Sequence, residues 1–339
     1  MSRPRYSKTA VSKAGATMVS PASSLGEQEQ AKEVVNYWRE IHGEVLQRAL
    51  EDIEGLDSVD ETVRVAGRIK KLDTIIDKLR RPRTPSELHT MYDIAGCRLI
   101  VEDFSQLEEV CRGLRELPAY DEPKTSKHDY IAQPRSSGYR GRHVILHYEN
   151  LVSGHRLFVE VQVRTKMQHD WATAVEMHDA AVKTRLKFNE IDNAPGRFFR
   201  KAALLIAQLE EQGTVDARNI RLLSEGRSEL PDALRAVEIL KAACGSIWLS
   251  PSDLSSAHAG DYCLVDFRPD IQLVEVVSLA RMGALATYFE KEKEDVEGEH
   301  NIVLVRGASA EVLEELYPNY FGDISSFIEL VSRHMDAFA

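Results

Sequence analysis

Two acidic residues sit where strand-like stretches would present them to a binding site. Asp93, in Tyr92-Asp93-Ile94-Ala95-Gly96-Cys97-Arg98, lies just ahead of the short apolar run Cys97–Val101 and could show a carboxylate at a sheet edge. Glu160 belongs to Leu157–Val163, where alternation puts Leu157, Val159, Val161 and Val163 on one face. Phe158, Glu160 and Gln162 then share the other face, with Arg164 beyond them. Together the two carboxylates could chelate Mg2+, a hard cation commonly held by one or two carboxylates plus substrate phosphates. Taken singly, each reads equally well as a turn residue or a half-exposed strand residue.

Cations accompany them. Arg64, Arg68, Lys70, Lys71, Lys78, Arg80, Arg81 and Arg83 crowd one short segment, a bunching that suits a polyphosphate or a solvated helix face. On a helix, Lys70, Thr74 and Lys78 would form a stripe at i, i+4 and i+8, mildly repulsive unless an anion offsets it. A further stretch, Asp129–His143, surrounds Tyr139 with Gly138, Gly141 and the cations Arg135, Arg140 and Arg142. A base can stack on such a ring while arginines grip phosphate; the plain alternative is a surface loop whose tyrosine covers an apolar edge.

Several classes drop out. There is no GxxxxGK[ST] and no strand–GxGxxG–helix, so P-loop and Rossmann readings lack support. The four cysteines (Cys97, Cys111, Cys244, Cys263) show no CxxC spacing, which fits reduced thiols in a cytoplasmic protein. His169 and His178 fall on opposite sides of one predicted helix and cannot share a metal ion. No apolar run approaches a membrane span and no secretory signal is evident, so no membrane partner is expected. The net charge of −11 is uneven: residues 190–339 hold 14 Lys/Arg against 26 Asp/Glu, and the rest is close to neutral.

The elements that must position these residues follow from periodicity and breakers. Residues 1–28 read as a flexible or loosely docked tail. Long amphipathic helix is expected over Gln28–Leu56, and a second helix over Val59–Arg81 that Pro82 ends. Strands are expected at Cys97–Val101, His143–Tyr148 and Leu157–Val163, and helices at Phe104–Leu117 and from Lys166 to about Lys183. Beyond Asp192 come helices at Phe198–Gln212 and Asp232–Ala243, a strand at Tyr262–Arg268, a helix near Leu273–Glu290 and a strand at Ile302–Arg306. The acidic run Glu290–Glu299 reads as a solvated loop or helix end. The order implies an α+β (mixed α/β) fold, a mixed β-sheet flanked by helices, with a second, smaller, acidic α/β unit over 191–339.

Four collinear segments resemble the synthetase domain of the RelA/SpoT family. R-x-K-x-x-x-[ST]-I-x-x-K is matched by Arg68, Lys70, Thr74, Ile75 and Lys78; D-I-x-G-x-R by Asp93, Ile94, Gly96 and Arg98. D-Y-I-x-x-P-[KR]-x-x-G-Y-x-x-x-H is matched by Asp129, Tyr130, Ile131, Pro134, Arg135, Gly138, Tyr139 and His143; E-[IV]-Q-[IV]-R-T by Glu160, Gln162, Arg164 and Thr165. The resemblance implies a nucleotidyltransferase-like synthetase domain over 29–190 that moves the β,γ-diphosphate of ATP to the 3′-hydroxyl of GDP or GTP. It implies Arg68, Lys70 and Lys78 on the ATP phosphates, Arg98 on the adenine side, and Asp93 and Glu160 as the catalytic pair on Mg2+. It implies Tyr139 under the guanine, and Arg135, His143, Gln162 and Arg164 around the acceptor.

The family position that is often Ser is Gly141 here, and His128 stands where a Lys often precedes the D-Y-I. The motifs begin at Arg68, leaving too little chain ahead of them for the hydrolase domain of bifunctional members, so product hydrolysis is not expected. Two other readings stay open. One is a toxin-type relative acting on adenosine nucleotides or the tRNA 3′ end, with an antitoxin-like partner or region; the other is a non-catalytic nucleotide sensor. Small relatives often assemble as homo-oligomers, and the same is expected by analogy.

Overall fold

The alternation along 157–163 is realised in full: Leu157, Val159, Val161 and Val163 are buried, while Phe158, Glu160 and Gln162 face a more open side. The computed structural model describes residues 5–81, 87–182, 193–222, 230–243, 248–249, 262–268, 273–280, 283–295, 300–306 and 324–338. Pro82, Arg83, Asp192, Cys244 and residues 296–299 of the acidic run lie outside them.

The helices are α1 (Lys8–Val19), α2 (Leu25–Glu54), α3 (Leu72–Leu79), α4 (Phe104–Glu116), α5 (Glu122–Thr125), α6 (Lys166–Val182), α7 (Ala194–Gln212), α8 (Ala217–Leu222), α9 (Leu230–Ala243), α10 (Ala284–Glu294) and α11 (Ser325–Arg333). The strands are β1 (Arg64–Ile69), β2 (Ala95–Val101), β3 (Arg142–Glu149), β4 (Arg156–Thr165), β5 (Trp248–Leu249), β6 (Tyr262–Arg268), β7 (Leu273–Leu279) and β8 (Asn301–Arg306). They form one mixed sheet in the order β3-β4-β2-β1-β8-β6-β7-β5. β2 and β4 run parallel; β1 and β3 flank them antiparallel. The expected mixed α+β architecture is therefore observed. Among the described residues no helix is long and apolar enough to cross a membrane.

One face of the sheet carries the main core, built on α2 and α4. Ser24 caps α2 in a reciprocal box with Glu27, and Asp103 caps α4 through Gln106 N. Leu107, Val110, Cys111 and Leu114 then turn one stripe of α4 inward. A second core, made by α6, α7, α9 and α11, centres on Trp171, Phe198, Phe199 and Phe327.

Three expectations are corrected. The helix expected over Val59–Arg81 is strand β1, a turn at Lys70 and Lys71, and the short helix α3. Val63, Val65 and Ile69 are β-branched and suit a strand. Between them Gly67 lets the strand lie directly on α2, since a Cβ there would meet Leu50 Cδ1 at 2.6 Å. The helix expected near Leu273–Glu290 is strand β7 followed by α10. Gly283 (φ +98) makes the break between them with a backbone that L side chains rarely adopt. Residues 8–19, expected within a flexible or loosely docked tail, are helix α1, capped by Ser7 and docked through the buried Val11 and Ala14.

Val11 is fully buried, so Val11→Ala should cost about 2 kcal/mol through lost burial and a residual cavity, read as a lower urea midpoint at unchanged m. A loss below about 0.5 kcal/mol, the size of a surface change, would mark α1 as peripheral.

Candidate active site

Strand register builds the site. Across the sheet, Arg68 on β1 stands opposite Gly96 on β2, which stands opposite Glu160 on β4. The next row runs Ala66, Arg98, Gln162 and, on β3, His143. Residues directly opposite one another point to the same face, so two rows of polar side chains lie over the sheet with glycine and alanine as the gaps between them. Arg68, Lys70, Asp93, Arg98, Glu160 and Gln162 line one pocket.

Asp93 enters just before β2. Lys70 Nζ donates to its Oδ2 at 2.9 Å and Lys78 Nζ to its Oδ1 at 2.7 Å. The expected cationic stripe is therefore not one helix face: Lys70 sits in the turn after β1, Lys78 on α3, and both converge on one carboxylate. Thr74, the middle member of that stripe, instead donates to Lys71 O at 2.8 Å. Burial alone would raise the pKa of Asp93, but the two ammonium groups overcome both burial and the repulsion of Glu160 and hold it below its usual value. Burial, with Arg68 and Lys78 nearby, in turn pushes Lys70 down despite its bond to Asp93.

Glu160 is the hinge between this pocket and a second polar group. Gln162 Nε2 donates to Glu160 Oε1 at 2.7 Å, and His143 Nδ1 stands 3.4 Å from the same oxygen. Against the penalty of burial, the His143 charge and these bonds keep Glu160 well below the usual carboxylate range. His143 Nε2 meets Tyr139 Oη at 2.6 Å, and Arg164 donates to that phenol through Nε at 3.1 Å and Nη2 at 2.8 Å. Arg164 Nη2 also donates to Gln162 Oε1 at 2.9 Å. Burial would lower His143, yet Tyr139 and Glu160 raise it to about 9. Burial would raise Tyr139, yet Arg164 and His143 bring it down to about 8.

The Tyr139 ring is held by its neighbours. Gly138 (φ +92) and Gly141 (φ +152) flank it with backbone that glycine favours, and the second explains why the frequent Ser is absent. A Cβ on Gly138 would lie 2.9 Å from Ala203 Cβ, so α7 is pressed against this loop. The same helix is tied to the end of β4 and the start of α6. Glu210 accepts from Thr165 Oγ1 and, at 2.9 Å, from Gln168 Nε2, and Trp171 Nε1 donates to Phe199 O at 2.8 Å.

Arg135 lies over Tyr130 at 4.3 Å and donates to its hydroxyl at 2.7 Å. Tyr130 is a site residue to which sequence reasoning gave no role, although it sits within the D-Y-I match. Asp129 is structural: its Oδ1 accepts from Ile131 N and Ala132 N, and its Oδ2 pairs with Arg142.

A model described as a region found in RelA / SpoT proteins matches residues 67–185. GTP pyrophosphokinase YjbM of Bacillus subtilis is 30% identical over 181 residues, 51% of this chain and 75% of that protein. An uncharacterized protein of Mycobacterium tuberculosis is 32% identical over 192 residues, 56% of this chain and 64% of the relative. Among solved structures, small alarmone synthetase 1 of Bacillus subtilis bound to its product pppGpp aligns with a TM-score of 0.42 and 24% identity, over 52% of this chain and 90% of that one. The chain belongs to the RelA/SpoT family, within the group of (p)ppGpp synthetase-type GTP pyrophosphokinases.

The His143 ring should titrate near pH 9, and Glu160→Gln should move it down, as read by NMR of its Cε1 proton. Since the folded value lies above 6.5, its contribution to stability is fully present below pH 6.5 and fades as pH rises through about 9. A ring titrating at or below 6.5 in the folded protein would contradict the Glu160–His143 pairing.

Proposed function

We propose that this protein transfers the β,γ-diphosphate of ATP to the 3′-hydroxyl of GDP or GTP, making (p)ppGpp and AMP. The observation that carries the reading is the convergence of Asp93 and Glu160 on one pocket with Arg68, Lys70 and Arg98, with Tyr139 joined to Glu160 through His143.

The donor set fits Mg2+: two ionised carboxylates offer hard oxygen ligands, and the two lysines now on Asp93 mark a place where positive charge is favoured. When bound there, such a cation would neutralise charge on the transferring phosphates. Arg68, Lys70 and Lys78 take the ATP phosphates, and Arg98 lies toward the adenine. Tyr139 offers its face to the acceptor base, as Arg135, His143, Gln162 and Arg164 gather around the acceptor phosphates and ribose.

The acceptor oxygen attacks the β-phosphorus. The bond from that phosphorus to the α,β-bridging oxygen breaks, and AMP departs with the oxygen. Glu160, ionised throughout the physiological range, accepts the hydrogen bond of the attacking hydroxyl, orients it and receives its proton as the new bond forms. In-line transfer of this kind needs positioning and charge neutralisation more than a covalent nucleophile, and Arg68, Lys70 and Arg98 in the pocket lining suit that need.

Incubating the purified protein with labelled ATP and GDP, GTP, ATP or deacylated tRNA as acceptor should label GDP and GTP. Label on an adenosine nucleotide or on tRNA would replace this reading with the toxin-type one, and label on none would favour a nucleotide sensor. Asp93→Asn and Glu160→Gln should each lower product formation at least ~100-fold, the scale of losing a transition-state electrostatic contact, with the circular dichroism spectrum unchanged. Full activity in either folded variant would remove that carboxylate from the mechanism.

A further inference from the structure

Arg39, on α2, is a fully buried cation outside the four motifs in sequence. Its guanidinium is satisfied on every side. Nε donates to Lys70 O at 2.9 Å, Nη1 to Asn36 Oδ1 at 3.0 Å and Nη2 to Tyr288 Oη at 3.3 Å. Nη2 also pairs with Glu292 at 2.7 Å, and the group lies 4.6 Å from the centre of the Phe289 ring. Tyr288 Oη in turn donates to Glu292 Oε1 at 2.8 Å.

Three of these partners, Tyr288, Phe289 and Glu292, belong to α10, outside the family match at 67–185. Another is the main chain of Lys70, whose ammonium holds Asp93. The neighbouring residue is gripped from the same side, since Lys71 Nζ donates to His300 O at 2.8 Å. β8 pairs with β1 at Arg68. The α10 contact is close-fitted: a Cβ on Gly43 of α2 would overlap Leu285 Cδ1. Glu292, expected from sequence to be solvated, is thus turned inward as the counter-charge of a buried arginine.

We propose that Arg39 and Glu292 form a positioning couple through which α10 sets the turn carrying Lys70, so that the C-terminal part of the chain tunes affinity for the donor nucleotide and not for the acceptor. The inference rests on Lys70 being a donor-phosphate ligand. Physically, a guanidinium at this depth holds one geometry because leaving either the cation or Glu292 unpaired is costly. The Lys70 carbonyl is part of that geometry, and the Lys70 side chain leaves from the same residue. None of the contacts of Arg39 and Glu292 described above is with Arg135, Tyr139, His143, Gln162 or Arg164.

The test uses the full chain and Glu292→Gln, which keeps the shape while removing the charge and one of the two acceptor oxygens that face Arg39 and Tyr288. A non-hydrolysable ATP analogue with Mg2+, and separately GDP, are titrated by calorimetry, and amide exchange is followed over a peptide spanning residues 68–72. Donor affinity should fall about 10-fold, the cost of a small displacement of a binding group. GDP affinity should hold within about two-fold, exchange over 68–72 should rise, and Glu292→Asp should recover most of the donor affinity. Should Glu292→Gln fail to fold, Tyr288→Phe removes one hydroxyl without altering packing and should move donor affinity and exchange the same way by a smaller factor.

Unchanged donor affinity in the folded variant, or equal losses for donor and acceptor, would overturn the proposal. If the wild-type chain binds no ATP analogue, it is the reading of the site that fails. The couple is then judged by exchange alone, and unchanged exchange over 68–72 would sink it as well.

Discussion

The parallel pairing of β2 with β4 is the constraint from which the rest of the site follows. With Gly96 opposite Glu160 and Arg98 opposite Gln162, the acidic and basic side chains of three strands share one face. A slip of β4 by one residue would turn Glu160 and Gln162 into the core and bring Val159 and Val161 out, at the cost of the main apolar layer. The same burial that stabilises the sheet therefore fixes the chemistry. Gly96 has a part in this, because a side chain there would stand between Arg68 and Glu160 in their shared row.

Electrostatics then decides which protonation states this scaffold holds. Two carboxylates at one pocket repel, and one of a close pair commonly takes up a proton. Here each has its own cationic partners: Lys70 and Lys78 for Asp93, His143 for Glu160. Both stay ionised as a result. The Tyr139–His143–Glu160 chain extends the same logic beyond the pocket, linking the phenol to the carboxylate through the imidazole.

The legible parts of the sequence were those with one-sided burial. β4 alternates cleanly because its second face is open, and the helix over 104–116 shows its stripe and its caps. β1 was misread because Gly67 supplies no apolar side chain at the position where the alternation needs one, while Arg68, Lys70 and Lys78 mimic a helical period. β7 was misread for the opposite reason: Val274 and Val276 face one core and Val277 and Leu279 another, and a run buried on both faces carries no period. The candidate site residues themselves were legible through motif matching, and the structure brings Arg68, Lys70, Asp93, Arg98 and Glu160 together in one pocket. What no pattern announced was the connectivity. Arg39 on a long amphipathic helix and Glu292 in an acidic run give no hint of each other, because an ion pair across 253 positions leaves no local trace.

The bonds from Glu210 to Thr165 and Gln168, and from Trp171 to the Phe199 carbonyl, bear on how this enzyme can be dissected. The family match stops at residue 185, an inviting place to trim a minimal catalytic fragment. Such a truncation would remove α7 entirely. It would strip three buried polar groups of their acceptors, bare the indole of Trp171 to water, and leave the loop around Gly138 with nothing to lean on. A trimmed product that precipitates or turns over poorly would then report the missing buttress rather than a weak enzyme, and expression plasmids for this chain are better designed to run past Gln212.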